Sequence, residues 1–399
     1  MMNNVYLSKP GTVTCAGLDS DELWNSVVCG NQQGIKKVTA VSGDEFFVGK
    51  IADEKLEETT ARFSMRIHRI QEMALNQISG EVAIAREKYG SDRIAVCVGS
   101  CDNGTEFSLS GHRIFFETGK FASNYSIEMQ GADYPSTFVK EKFGLTGPCL
   151  SFSTACSSSG AAIIKGAQLL ASGMADAVIS GGVDIASDTV LLGFGSLEAV
   201  SSEITNPFSA NRSGITLGEG AAFFVMTREN LFGTGIKLLG YGESSDAHHM
   251  TSPDPSGDGA RRAMEMALEK AGLEPKDIDY LNLHGTGTRL NDLMESKAVA
   301  AVFGESKVAA STTKPFTGHT LGAGSAVELA VCFEAIRKNR NAEKNLLPLQ
   351  KWDGVRDEEM PVLNLVDENN SGNCRKIKVC MSNSFAFGGS NCCLIVGER

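Results

Sequence analysis

Several things are scarce in this chain of 399 residues, and each scarcity excludes a class. Basic charge is not in excess: the formal net charge is −11. General binding to nucleic acid or to a membrane surface wants a basic face, so neither is expected. No apolar run approaches the roughly 18 residues of a membrane-spanning helix. Between Met1 and Cys15 there is one lysine, Lys9, and no long apolar core, so neither a secretory signal nor an anchor is expected. The 11 cysteines have no framework spacing, are odd in number and include no Cys-x-x-Cys pair. That pattern predicts reduced thiols in a cytoplasmic setting, with no disulfide scaffold and no metal site. Histidine is also rare, with six in the chain.

What is present is ordinary for a globular enzyme: 42% hydrophobic, 21% charged and 7% aromatic residues. The length suits two similar halves. The 43 glycines gather in a few loops and mark no linker. Continuous apolar runs such as Ile94–Val98, Ala177–Ser180 and Ala221–Met226 read as buried strands. They alternate with helical stretches, Ala161–Ala171 and Arg261–Ala271 among them, which predicts a layered α/β fold with mainly parallel sheets. The order of buried strand, glycine-rich loop and helix recurs. It places a boundary near Tyr241 and divides the chain into 1–241 and 242–399.

Four loops carry the chemistry-bearing residues. In Ser153–Gly160, Cys156 lies where the strand Cys149–Phe152 hands over to a helix. Unpaired N–H groups at a helix start favour a thiolate, so Cys156 is a candidate nucleophile, although a packed structural cysteine has the same local pattern. His284 opens His284–Thr288 after a strand. His319 sits within Lys314–Gly324, which leads into a further helix. The fourth loop is Asn383–Asn391. Two of the six histidines falling in such loops, together with a cysteine at a helix start, favours catalysis over structural packing.

Taken together and in this order, the four loops resemble those of the β-ketoacyl-acyl-carrier-protein synthases, condensing enzymes of thiolase fold. The resemblance implies a layered αβαβα architecture of two similar halves. Having both His284 and His319 resembles the Cys-His-His type that elongates chains, and Phe385-Ala386-Phe387 stands where thiolases carry a second cysteine. The implied reaction loads an acyl group on Cys156 and then condenses it with malonyl carried on acyl carrier protein, losing CO₂ and giving a 3-ketoacyl product. The two histidines would donate hydrogen bonds to the thioester oxygen, and backbone N–H groups of Cys156 and Phe387 would hold the oxyanion. No cofactor is implied beyond the phosphopantetheine arm of the carrier.

The same resemblance assigns supporting roles. Lys314 and Glu328 match an ion pair that orders the histidine region. Asp292 and Glu295 match acidic residues behind the site and are grouped with the substrate-binding residues. Thr286 and Thr288 match contacts to the pantetheine arm, and His249 and Ser252 lie in a stretch resembling another arm-side loop. Phe387 matches a gating aromatic. A dimer is expected, homodimeric or with a second ketosynthase-like chain, with 101–130 walling the acyl pocket. Leu197-Glu198-Ala199 and Asn206–Gly220 resemble ketosynthases of aryl-polyene clusters, so fatty-acid and aryl-polyene elongation both stand open. Arg62, Arg66 and Arg69 at i, i+4 and i+7 would share a helix face, and Arg62 and Arg66 are candidates for docking an acidic carrier. Three other readings remain: a thiolase, an acyltransferase that does not condense, and a non-catalytic partner subunit that sets chain length.

Overall fold

The structure, a computed structural model, describes residues 4–59, 61–102, 104–123, 125–305, 307–372 and 375–398. Among them, twelve strands join in one sheet. From one edge it runs Asn364–Leu365, Ala309–Ser311, Tyr280–Asn282, Val379–Phe385, Ser390–Gly397 and Lys237–Ser245. It continues through Tyr6–Leu7, Gly220–Thr227, Ala177–Asp184 and Ile94–Gly99 to Cys149–Phe152, and Gly11–Thr14 pairs beside Gly220–Thr227. Tyr6–Leu7 is the splice: it pairs with Gly220–Thr227 on one side and Lys237–Ser245 on the other.

The expectation of mainly parallel sheets needs correcting. The outer strands of each half are parallel, but Ser390–Gly397 runs antiparallel to both its neighbours, and Gly220–Thr227 is antiparallel to Ala177–Asp184. The reason for the first is local. Only Ala386–Gly389 separates Val379–Phe385 from Ser390–Gly397, and so short a connection can only make a hairpin. Gly388 and Gly389 take φ of 81° and 76°, the left-handed backbone this turn requires.

Two helices form the middle layer. The helix after Cys156, Ser158–Ala171, packs on Ile94–Gly99 and Ala177–Asp184. The helix after His319, Gly324–Asn339, packs on Val379–Phe385, Ser390–Gly397 and Ser158–Ala171. Both are apolar on nearly all sides, as a helix covered on both faces must be. Gly160 is packed tightly between them and the sheet: a Cβ there would lie 2.5 Å from Cys392 Sγ in the strand Ser390–Gly397 and 3.1 Å from Ser325 Oγ in the other helix. Outside the sheet, Arg66–Gln77, Ser79–Tyr89 and Tyr134–Lys142 cover the first half, and Asp258–Ala271 with Arg289–Phe303 covers the second. The result is the five-layered αβαβα arrangement. No helix of the described residues is long and apolar enough to cross a membrane.

Each middle helix is entered through the same device. A single 3₁₀ turn, Ala155–Ser157 before one and Leu321–Ala323 before the other, begins with a non-glycine residue at positive φ. Ala155 stands at 50° and Leu321 at 51°. A side chain in that region costs of order 1 kcal/mol, so surrounding contacts must hold it.

The segment Thr105–Thr118 departs from the compact pattern. Its Phe116 is 83% exposed, and nearby Ile127 is 72% exposed. Beside it runs a ladder of stacked rings, Phe107–Tyr125 at 5.4 Å, Tyr125–Phe121 at 4.1 Å and Phe121–Phe115 at 4.7 Å. Gly111 makes the ladder possible, because a Cβ there would fall 2.3 Å from the Tyr125 ring.

Candidate active site

Cys156 occupies the middle of the turn Ala155–Ser157. His284 follows the strand Tyr280–Asn282, and His319 follows the short helix Lys314–Thr317. The fold brings all three together. His319 Nε2 lies 3.0 Å from Cys156 Sγ, and the two imidazoles meet edge-on with centroids 5.3 Å apart. All three side chains are buried and line one cavity of about 510 Å³. Phe387 stands at the apex of its hairpin and also lines the cavity, stacked on Phe194 at 5.7 Å. The backbone N–H of Phe387 is near enough to the Cys156 sulfur to favour its thiolate.

The protonation of the site follows from its neighbours. The N–H of Leu321 donates to His319 Nδ1 at 3.3 Å, so Nδ1 carries the lone pair and Nε2 the hydrogen. Lys314 Nζ approaches His284 Nδ1 at 3.4 Å and imposes the same tautomer there. Burial, then the Lys314 charge, holds both imidazoles well below the ordinary histidine range, so both are neutral at pH 7. Two neutral rings therefore present Nε2–H donors around the sulfur. The ligating atoms of Cys156, His284 and His319 lie within 4.8 Å of one another, close enough to share a metal ion. The tautomers oppose that use, because the nitrogens nearest the sulfur offer hydrogens where a metal needs lone pairs.

The expectation of a thiolate at Cys156 is corrected by the same physics. Burial pushes its thiol up to about 11, and the Lys314 charge and the Phe387 N–H only partly offset this. Burial favours the thiol, while these donors favour the thiolate.

The remaining sequence-chosen residues separate by position. Lys314 is buried beside the His284 loop, where its ammonium contacts the Glu328 carboxylate and the His284 carbonyl. Thr286, Thr288 and Ser252 line the cavity, and Thr286 and Thr288 share a 2.9 Å hydroxyl contact. Asp292 and Glu295 do not line it. Glu295 accepts from the N–H groups of His284 and Gly285, each at 2.7 Å, and burial raises its carboxyl to about 7. Asp292 accepts from the N–H of Phe208 at 2.8 Å and of Gly287 at 3.2 Å. Their place among substrate-binding residues is corrected: they anchor the His284 loop from beneath. His249 is exposed outside the cavity, and its Nδ1 accepts from the N–H groups of Thr251 and Ser252.

The arginine face is also corrected. Arg62 lies in the separate turn Ala61–Phe63, and the helix begins only at Arg66, so no common face exists. Arg66 has 13% of its side chain exposed and is held by Glu219 at 2.5 Å, by Asp53 and by the Ile51 carbonyl. It is a structural ion-pair residue with no surface to offer a carrier. Arg62 remains about half exposed, paired with Glu141 at 2.9 Å.

Phe194, Asp184 and Leu321 are site residues to which the sequence reading assigns no role. Asp184 was findable, as a carboxylate at the end of a strand with no other charge. Leu321 carried no signal, since its contribution is a backbone angle.

Comparison with known proteins adds independent information. Residues 11–231 match the family described as "Beta-ketoacyl synthase, N-terminal domain", and 236–344 match "Beta-ketoacyl synthase, C-terminal domain". The chain is 30% identical over 414 residues to 3-oxoacyl-[acyl-carrier-protein] synthase 2 of Staphylococcus aureus (strain COL), covering 98% of this chain and 97% of that enzyme. It is also 30% identical to the synthase of the same name from Coxiella burnetii, over 99% of this chain and 98% of the other. Among solved structures it resembles the ketosynthase ApeO in complex with its chain length factor ApeC from Xenorhabdus doucetiae. There the TM-score is 0.90 and the identity 37%, over 99% of this chain and 98% of that one.

Proposed function

The chain belongs to the β-ketoacyl synthase family, and from that premise we propose how its own residues carry out the condensation. It is an acyltransferase that joins an acyl group to a malonyl unit held on acyl carrier protein, with loss of CO₂. Cys156 attacks the incoming acyl thioester. Its proton leaves with the released carrier thiol, and a covalent acyl-cysteine remains. The backbone N–H groups of Phe387 and Cys156 hold the oxyanion of that step. Malonyl thioester then enters past Thr286, Thr288 and Ser252. The Nε2–H groups of His284 and His319 hydrogen-bond its carbonyl oxygen, and the enolate left by CO₂ attacks the acyl-cysteine, breaking its C–S bond. The 3-ketoacyl thioester stays on the carrier, and the Cys156 sulfur takes up a proton from solvent. Lys314 and Glu328 fix the His284 loop and its tautomer.

The observation that carries this reading is the convergence of one sulfur and two imidazoles, with one ring nitrogen of each and the sulfur within 4.8 Å of one another and His319 Nε2 at 3.0 Å from the sulfur. Intact-protein mass spectrometry and a condensation assay test it with His319→Ala. That variant should still form acyl-Cys156 but lose condensation by about a hundredfold or more, the usual loss for one such donor. Unchanged condensation would remove His319 from the role.

For the substrate, we favour a conjugated, aryl-ended chain over a saturated one. The support is the resemblance of Leu197-Glu198-Ala199 and Asn206–Gly220 to ketosynthases of aryl-polyene clusters, and the stacked pair of rings, Phe194 on Phe387, at the cavity wall. For the quaternary state we favour a partner of the chain-length-factor kind seated on the exposed face of Thr105–Thr118. Arg62 alone retains the carrier-docking proposal, and the lack of framework spacing among the 11 cysteines fits a cytoplasmic setting.

A further inference from the structure

We propose that Asp184 is a positioning residue for condensation, a single carboxylate that sets both the turn carrying the nucleophile and the turn orienting His319. The proposal rests on the reading of His319 as a donor through Nε2.

Asp184 ends the buried strand Ala177–Asp184 and is itself fully buried. Its Oδ2 accepts from the N–H of Gly322 at 2.6 Å. Its Oδ1 accepts from Ser100 Oγ at 2.9 Å and from the N–H of Asp102 at 2.8 Å, while the N–H of Cys101 reaches both oxygens at 2.9 Å. Every one of these partners is a donor, which is the environment of a carboxylate put to structural use.

Two lines of force leave this carboxylate. One goes through Gly322, the middle of the turn Leu321–Ala323. Holding the Gly322 N–H fixes the peptide that follows Leu321 and keeps Leu321 at φ 51°. In that conformation the Leu321 N–H faces His319 Nδ1 and sets the tautomer. Gly322 must be glycine for this contact, because a Cβ would sit 2.6 Å from Asp184 Oδ2 and 2.9 Å from Cys101 Sγ. The other line goes through Cys101, whose thiol donates to the Ala155 carbonyl at 3.0 Å. Ala155, at φ 50°, is the counterpart of Leu321 on the nucleophile side. Asp184 therefore keeps the two turns in register although they come from different halves of the chain.

Asp184→Asn separates the two lines. An amide has one oxygen, and the three donors at Oδ1 will hold it. The NH₂ then faces the Gly322 N–H, donor against donor, and the His319 turn is the one released. Imidazole nitrogen NMR on enzyme with isotope-labelled histidine reads the tautomer, with the His319 signal assigned by its loss in His319→Ala. The wild type should show Nε2–H at His319 and Asp184→Asn a mixture. In the variant, condensation should fall about tenfold to a hundredfold further than acylation of Cys156, as expected when a supporting hydrogen bond is lost. An Nδ1–H tautomer in the wild type would overturn the proposal, and that measurement needs no folded variant at Asp184. So would an unchanged ratio of condensation to acylation in Asp184→Asn, or an equal loss of both. If His319→Ala is inactive and Asp184→Asn normal, the proposal alone fails; if His319→Ala condenses normally, the donor reading fails with it.

Discussion

A sulfur buried against two neutral imidazoles behaves differently from one at an open helix start. The Cys156 thiol, pushed up to about 11, is protonated at pH 7, and its thiolate fraction grows tenfold for each pH unit until that value is approached. Alkylation of Cys156 by iodoacetamide should therefore keep accelerating from pH 7 to pH 9. A plateau by pH 7.5 would show a preformed thiolate and contradict the burial argument. The histidines contribute no inflection in that range, because burial and Lys314 hold them neutral throughout it. At this scale much was legible in the sequence. Cys156, His284, His319 and Lys314 could be named from their loops, since loops that build a reactive site are short and chemically distinctive. Protonation could not be read, because it depends on burial and on partners such as the Leu321 N–H. The placement of Arg66 failed for a related reason: regular helical spacing says nothing about Glu219, 153 positions further along the chain.

Strands and helices were largely visible as apolar runs and periodic stretches. Strand direction was not visible, because a continuously apolar run reads the same either way. Only the hairpin glycines Gly388 and Gly389 hinted that Ser390–Gly397 doubles back. The two middle helices show what element-scale packing demands. Where Gly160 meets Cys392 and Ser325 there is no room for a methyl group. Gly160→Ala should lower unfolding stability by about 1–3 kcal/mol, the usual cost of overpacking, despite the better helix propensity of alanine. Urea denaturation measures this; an equal or higher midpoint would mean that the helices separate without cost. The paired turns Ala155–Ser157 and Leu321–Ala323 belong to this scale too, since each starts a middle helix and each stores its strain next to a reacting group.

For the whole molecule, the unusual feature is the apolar face of Thr105–Thr118 with its ladder of rings. Soluble monomers rarely leave so contiguous a patch uncovered. Phe116→Glu should leave the fold intact, since Phe116 is 83% exposed, and should abolish co-elution with the proposed chain-length-factor-like subunit in size-exclusion chromatography. Co-elution undiminished by the charge would move the interface elsewhere. The sequence placed the partner wall within 101–130 by resemblance, but the ladder itself needed coordinates, because residues as separated as Phe107 and Tyr125 stack only after Gly111 lets them close.

The splice at Tyr6–Leu7 has a mechanical consequence. Two residues knit the sheet edges of both halves into one continuous fabric, so the halves cannot rock apart like jaws to admit a chain. Whatever opens the reaction chamber has to be small and local. The hairpin tip bearing Phe387, with two glycines at positive φ and its ring against Phe194, is the local element we propose as its hatch.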